Sequence, residues 1–285
     1  ALAYDKNNRL VTMDDAAGHT AFAWTPWGAL ASEDGPWAED TVAYSHNASG
    51  LRSALSLLEP NATAWTQSYA YDSAWRPATL ASPAGEFGYQ YLDASQLPTL
   101  LTLPNNARIT NTYDALGRLL STALLATNDA SLNSHAYLYD AADQRTNQTL
   151  TAGNQWSYGY DAISQLTSAL GRESGGTSRA HEQFGYAYDA AGNLTNRVNG
   201  SFWQRFWHGT NGLNQLSSVV RTTNASYTVA GMVRGSATGV TVKQNAETTP
   251  TNATLYADGT FVRTNVALAD GTNTLTAVAT DAFGR

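Results

Sequence analysis

Through residue 225 the chain alternates apolar and polar positions with a period of two, and most of the apolar positions that matter are aromatic. Pairs of the form Tyr-x-Tyr occur at Tyr69/Tyr71, Tyr89/Tyr91, Tyr137/Tyr139, Tyr158/Tyr160 and Tyr186/Tyr188, with the variants Leu2/Tyr4, Phe22/Trp24 and Val42/Tyr44. Residues i and i+2 share one face of a strand but point ~200° apart on a helix, so each pair predicts a strand end. Taking the second aromatic as the anchor, and adding Tyr113 and Trp207, gives the series Tyr4, Trp24, Tyr44, Tyr71, Tyr91, Tyr113, Tyr139, Tyr160, Tyr188 and Trp207. Spacings run from 19 to 28 residues. A fixed period of this kind outranks any local reading, and it organises residues 1–225.

Turn chemistry follows the anchors. Tyr4-Asp5-Lys-Asn-Asn-Arg9-Leu10, Tyr113-Asp114-Ala-Leu-Gly117-Arg118-Leu119 and Tyr188-Asp189-Ala-Ala-Gly192-Asn193-Leu194 share one frame, and Asp72, Asp140 and Asp161 take the same place in other copies. Aspartate accepts hydrogen bonds from backbone N–H groups two residues on, and a glycine three residues on takes positive φ without a Cβ clash. The prediction is a β-hairpin with a loop of about four residues, repeated in a stack that buries what one hairpin cannot. Asp93-Ala-Ser-Gln96-Leu97 and Asn211-Gly-Leu-Asn-Gln215-Leu216 read as substituted copies, and polar insertions such as Arg172–Ser178 belong at the opposite hairpin end. After Thr222 the anchors stop. Short alternating strands separated by Gly or Asp-Gly predict a small β-sandwich over residues 226–285, and Asp281-Ala-Phe-Gly-Arg285 reads either as its last turn or as the first turn of a resumed repeat.

Composition removes several function classes. The chain has 285 residues, a net charge of −7, and two lysines against fourteen arginines, which argues against a phosphate-binding face and against nucleic acid as a partner. The absence of cysteine excludes disulfides, thiolate metal sites and a cysteine nucleophile. No apolar run approaches the ~18–20 residues that span a bilayer. The opening Ala-Leu-Ala-Tyr-Asp has neither region of a signal peptide, and the chain is expected to be a fragment of a longer protein.

Tyr-Asp-x-x-Gly-Arg-Leu and Tyr-x-Tyr-Asp-x-x-Gly-Asn-Leu, in register through several copies, resemble the YD repeat of Rhs proteins, of the BC components of Tc insecticidal toxins and of teneurins. The resemblance covers residues 1 to about 222. It implies an all-β fold in which stacked β-hairpins form a sheet spiralling into a hollow shell, here over residues 1–225. It implies a non-enzymatic role in a secreted or cell-surface bacterial protein, with the remainder of its own longer chain, shell and C-terminal effector or toxin, as partner. The Asp-Pro-x-Gly-Leu segment at which many members cut themselves has no counterpart, since the chain contains no Asp-Pro, and neither autoproteolysis nor a toxin identity carries over. Asp258-Gly-Thr-Phe261 and Gly271–Asp281 resemble bacterial Ig-like modules, which extends the expected fold with an Ig-like β-sandwich over residues 226–285.

Chemical motifs are sparse. His181-Glu182 lacks the second histidine of a zinc-protease helix, and no nucleophile elbow, P-loop or dinucleotide fingerprint is present. The histidines at 19, 46, 135, 181 and 208 sit at different phases of the repeat. The expectation is no catalytic residue, no metal site and no cofactor. Stacked turn aspartates at Asp5, Asp72, Asp114, Asp140, Asp161 and Asp189 raise the idea of a Ca²⁺ ladder, against which each caps its own turn and pairs with an arginine such as Arg118. The loop Glu33–Asp40 reads as a solvated acidic insertion around Trp37, weighed against glycoside hydrolysis by paired carboxylates, and the sequons at Asn61 and Asn193 follow from the composition. Trp27, Trp37, Trp65, Trp75 and Trp156 lie off the anchor series and are candidate sugar-binding residues. The alternative function is therefore a carbohydrate-binding or adhesion surface facing cell-surface glycans. A parallel β-helix polysaccharide-degrading enzyme fits the period but not the hairpin turns.

Overall fold

The computed structural model describes residues 1–58, 63–209, 213–222, 226–245, 247–268 and 271–285. The sequon at Asn61, the start of the copy at Asn211-Gly212 and the boundary residues 223–225 lie outside them. The described residues form 25 strands and no helix. Two compact units divide the chain, Ala1–Leu132 and Asn133–Arg285.

The first unit holds β1 (Leu2–Tyr4), β2 (Leu10–Asp14), β3 (His19–Trp24), β4 (Leu30–Asp34), β5 (Val42–His46), β6 (Arg52–Leu57), β7 (Trp65–Tyr71), β8 (Pro77–Ser82), β9 (Gly85–Tyr91), β10 (Pro98–Thr102), β11 (Arg108–Tyr113) and β12 (Leu119–Leu125). From β1 to β12 each strand pairs antiparallel with the next. The second unit holds a meander of its own with β13 (Ser131–Tyr139), whose first residues precede the division, β14 (Arg145–Leu150), β15 (Gln155–Tyr160), β16 (Leu166–Arg172), β17 (Ser178–Tyr188), β18 (Leu194–Asn199), β19 (Phe202–His208) and β20 (Leu216–Arg221). These too pair with the strand that follows. The polar stretch Arg172–Ser178 forms the turn between β16 and β17, at the hairpin end away from the aspartate turns.

Every hairpin closed by an aspartate-type turn carries a β-bulge at its last rung, where the strand-terminal residue pairs with the first residue of the outgoing strand: Tyr4 with Leu10, Trp24 with Leu30, Tyr71 with Pro77, Tyr113 with Leu119, Tyr160 with Leu166. A bulge adds one residue to the outgoing strand and increases local twist, so its recurrence twists the sheet at regular intervals.

A second sheet opens at Ser226 with β21 (Ser226–Met232), β22 (Gly239–Gln244), β23 (Thr251–Leu255), β24 (Thr260–Ala267) and β25 (Leu275–Thr280). Its strand order is β21-β24-β23-β22-β25. β23 is shared between two sets of neighbours: Thr251–Ala253 pair with β22, with Ala253 opposite Val240, and Thr254–Leu255 pair with β24, with Leu255 opposite Phe261. Val240, Val242 and Phe261 form the apolar core, packed by Val233, Ala253 and Leu255. Gly231 makes room for it, since a Cβ there would stand 2.5 Å from the Phe261 ring.

Candidate functional site

The aspartate turns are the most ordered chemical feature of the chain. In the turn at Asp114 the backbone N–H of Asp114 donates to Arg118 O and that of Gly117 to Asp114 O, each at 3.0 Å. Asp114 Oδ1 accepts from the N–H groups of Leu116 and Arg118 at 2.9 Å, and Oδ2 accepts from Arg118 Nε at 2.6 Å. One carboxylate thus satisfies three donors that no strand reaches. Asp5, Asp72, Asp140, Asp161 and Asp189 each accept the same two backbone bonds, at 2.8–3.0 Å. Arg9 and Arg76 close the ion pair in their turns, and the Asn193 amide replaces the guanidinium beside Asp189. Hydrogen bonds from Arg76 hold the Asp72 carboxyl below its ordinary range; bonds from Arg9 do the same for Asp5 and bonds from Asn193 for Asp189. At Asp114 desolvation works the other way and is outweighed by the Arg118 bonds. Among the described residues no group of three or more His, Asp or Glu is placed to hold a metal ion.

The fourth turn position is left-handed throughout. Gly117 and Gly192 take it with φ of 80° and 81°, and Asn8, Trp75, Asp143 and Ser164 take it with φ between 60° and 70°. For a bulky residue this is a strained region, so Trp75 pays a conformational cost that glycine avoids.

Anchors tie each hairpin to the one before. Tyr71 Oη donates to Arg52 O, Tyr91 to Pro77 O, Tyr113 to Pro98 O, Tyr160 to Arg145 O and Tyr188 to Leu166 O, at 2.8–3.0 Å. Trp24 Nε1 donates to Leu10 O in the same relation. The acceptor in each case is the first carbonyl of the preceding outgoing strand. At two turns arginine also ties the hairpin to the one after: Arg76, paired to its own Asp72, lies 4.5 Å from the Tyr91 ring centre and bonds the carbonyls of Asp93 and Ser95 in the next turn. Arg9 repeats this with the Trp24 ring and Thr25 O. Tyr4, at the chain start, is half exposed, and Tyr139 is the strand-terminal residue opposite Arg145.

Three positions depart from the predicted frame. In β5 the terminal rung is His46 with Arg52, so Tyr44 is the first member of its pair and not the anchor. In β19 the rung is His208 with Leu216, which puts Trp207 on the opposite face, 55% exposed. Both corrections have one cause: the frame is set by the turn that follows and by the bulge, and a histidine fills the ring's place. In the third, Leu92 and not Asp93 initiates the turn, with a loop one residue longer and Asp93 at φ 44°.

The other tryptophans divide into two groups. Trp27, Trp37 and Trp75 are about two-thirds exposed, Trp27 and Trp75 on turns. Trp37 borders an open recess of about 360 Å³ with Met13, Thr20, Glu33, Asp40 and Val42. Trp207 borders another of about 350 Å³ with Thr195, Asn196, Arg205 and Phe206. Trp65 and Trp156 are half-buried in strands, and Trp156 stacks on Phe184.

One cluster has no precursor in the sequence reading. Arg179, on β17, is 1% exposed and donates through Nε to Glu182 (2.8 Å), through Nη1 to Glu173 (2.5 Å) and through Nη2 to Asp258 (2.9 Å). Its guanidinium lies 4.4 Å from the ring centre of Tyr256, whose hydroxyl accepts from the Ala180 N–H. Burial disfavours the charge, but the three carboxylates outweigh it and raise the pKa. Asp258 and Tyr256 sit in the turn between β23 and β24, so this cluster joins the five-stranded sheet to the β16–β17 hairpin.

Residues 139–177 match the RHS repeat family. That segment carries an RHS repeat. A comparison with curated protein sequences finds no match. Among solved structures the chain is similar to TcdB2-TccC3 (14% identity, TM-score 0.28, 78% of this chain and 17% of that one) and to the Photorhabdus luminescens Tc holotoxin pore (12%, 0.29, 94% and 18%). It is likewise similar to a porin-like protein from Bacteroides uniformis (13%, 0.30, 74% and 94%). The chain thus spans about a sixth of the TcdB2-TccC3 chain.

The matched RHS segment contains the Asp140 and Asp161 turns with the Tyr160 anchor between them. Its turn geometry recurs at Asp281, where Oδ1 accepts from Phe283 and Arg285, Oδ2 from Arg285 Nε, and Gly284 takes φ 77°. Asp281–Arg285 is therefore a turn with the same bonding as the Asp114 turn, on the end of β25. Arg179 is invisible at the level of the RHS frame, since its partner Asp258 is 79 residues away in a different sheet.

Proposed function

We propose that the chain is a non-enzymatic wall segment of a larger shell that encloses or presents an effector in a secreted or surface-associated bacterial protein. One observation carries the reading: hairpin after hairpin is bonded backward through its anchor ring, and at Arg9 and Arg76 also forward through the turn arginine, which makes a sheet that extends by repetition. A wall works by separating two spaces, and a sheet with polar turns along one rim and half-exposed faces suits that task. Electron cryomicroscopy of the intact gene product is expected to show the hairpins as a continuous wall around an enclosed volume. A repeat sheet packed face-down on a solid core of other residues overturns the proposal.

Trp37 and Trp207 favour a second reading, a glycan-binding surface, because each presents an exposed ring beside a recess with polar side chains. Glycan-array binding lost in both Trp37→Ala and Trp207→Ala supports it, and an array with no binding removes it.

A further inference from the structure

Arg179 and His181 lie two residues apart on β17 and both meet Tyr256 from the turn between β23 and β24. The Arg179 guanidinium is 4.4 Å from the Tyr256 ring centre, and the His181 ring stacks on it at 5.8 Å with 29° between planes. Four groups face the imidazole, Arg179 and Glu182 on β17 and Asp258 and Tyr256 from the β23–β24 turn, and Glu173 from the β16–β17 turn pairs with Arg179 beside it. His181 Nε2 lies 3.1 Å from Glu182 Oε1, whereas Nδ1 is buried with no hydrogen-bond partner. With Nε2–H donating to Glu182, Nδ1 carries only a lone pair, and the neutral ring fits its surroundings. A proton added at Nδ1 makes a buried donor with no acceptor and places a second cation beside Arg179.

We propose that this contact is an acid-releasable latch, in which protonation of His181 detaches the Tyr256–Thr260 turn from β17 and frees the five-stranded sheet from the repeat hairpin it rests on. Desolvation, chiefly, and the Arg179 charge hold the imidazole below its ordinary value of 6.5, while Glu182 and Asp258 oppose them. The latched state therefore binds fewer protons than the open one. Closure is favoured above pH 6.5 and is lost as the pH falls from there through the latched-state value. Asp258, although desolvation raises it, is held below 3.8 by its bonds from Thr260 and Arg179, so its own titration belongs to stronger acid.

Hydrogen exchange on the full chain, corrected for intrinsic rates, tests this at about pH 7.5 and about pH 5.5. Protection of the Ala180 and Gly259 amides is expected to fall roughly threefold to tenfold at the lower pH, while the Gly117 amide in the Asp114 turn holds steady. His181→Phe, which keeps a ring on Tyr256, is expected to abolish the fall. Wild-type protection that does not change, or an equal fall in His181→Phe, overturns the proposal. Should His181→Phe not fold, the midpoint of the wild-type response decides: near the histidine range it supports the latch, and below about pH 4.5, in the carboxylate range, it overturns it.

Discussion

The repeat hairpins and the five-stranded sheet are both antiparallel β-structure, yet different forces hold them. Among the described residues of the first unit Ala107 is the one fully buried apolar residue, whereas the short C-terminal sheet buries Val240, Val242, Val262 and Val266 almost completely. The hairpins rely on a polar interlock renewed at every turn, and the C-terminal sheet relies on an apolar core like that of any small domain. The lesson is that a chain with 14% charged residues can still be assembled by charge, when arginines such as Arg9 and Arg76 are each used three times: on their own aspartate, on the next ring and on the next turn's carbonyls.

The sharpest way to break the comparison is to cut the core. Phe261→Ala is expected to cost the C-terminal sheet about 3–5 kcal/mol, seen as a separate low-denaturant transition in urea unfolding, while the repeat transition keeps its midpoint. A single transition shifted as one unit means the two regions share a core after all. The next effect lies in the turns and has opposite signs at equivalent positions. Gly117→Val is expected to cost about 1–3 kcal/mol and Trp75→Gly to gain about 1 kcal/mol, because both positions are left-handed and only one holds glycine. Midpoint shifts of opposite sign check the pair; loss in both variants means that the Trp75 ring contributes more than its backbone costs. Removing one tie between hairpins is smaller: Tyr113→Phe loses the bond to Pro98 O and is expected to cost about 1 kcal/mol. The smallest and most diffuse effect is acid loosening of the repeat. Asp5, Asp72 and Asp189 have depressed folded values, so their contribution is complete above about pH 4 and is lost as the pH falls through those values. Circular dichroism following the strands should hold its signal down to that range; loss of repeat structure at pH 5 contradicts the assignment.

The tyrosine period made the hairpins legible because ring, aspartate and glycine each have a local physical task that a short window reveals. Legibility failed where the task was met by another residue. His46 and His208 fill the ring's rung, and the bulge that reveals them is a pairing feature with no composition of its own. Leu92 opens a turn one residue before the aspartate that marks it in the sequence. The shared use of β23 was likewise hidden, since alternation says that a strand has two faces but not which neighbours bond its two edges. Arg179 lay furthest out of reach: burial of an arginine among three carboxylates requires two sheets to be brought together, and that is long-range information.

The turn at Asp281 has a consequence for how such genes change over time. The C-terminal sheet follows β20 and ends, after β25, in a turn bonded as the array's own turns are. Since each repeat hairpin bonds to its immediate neighbours, duplication, loss or replacement of a hairpin needs compensation at its two seams, whereas the C-terminal sheet is also tied to β17 through Arg179. Recombination can therefore lengthen, shorten or decorate the array in single steps while every remaining junction stays intact.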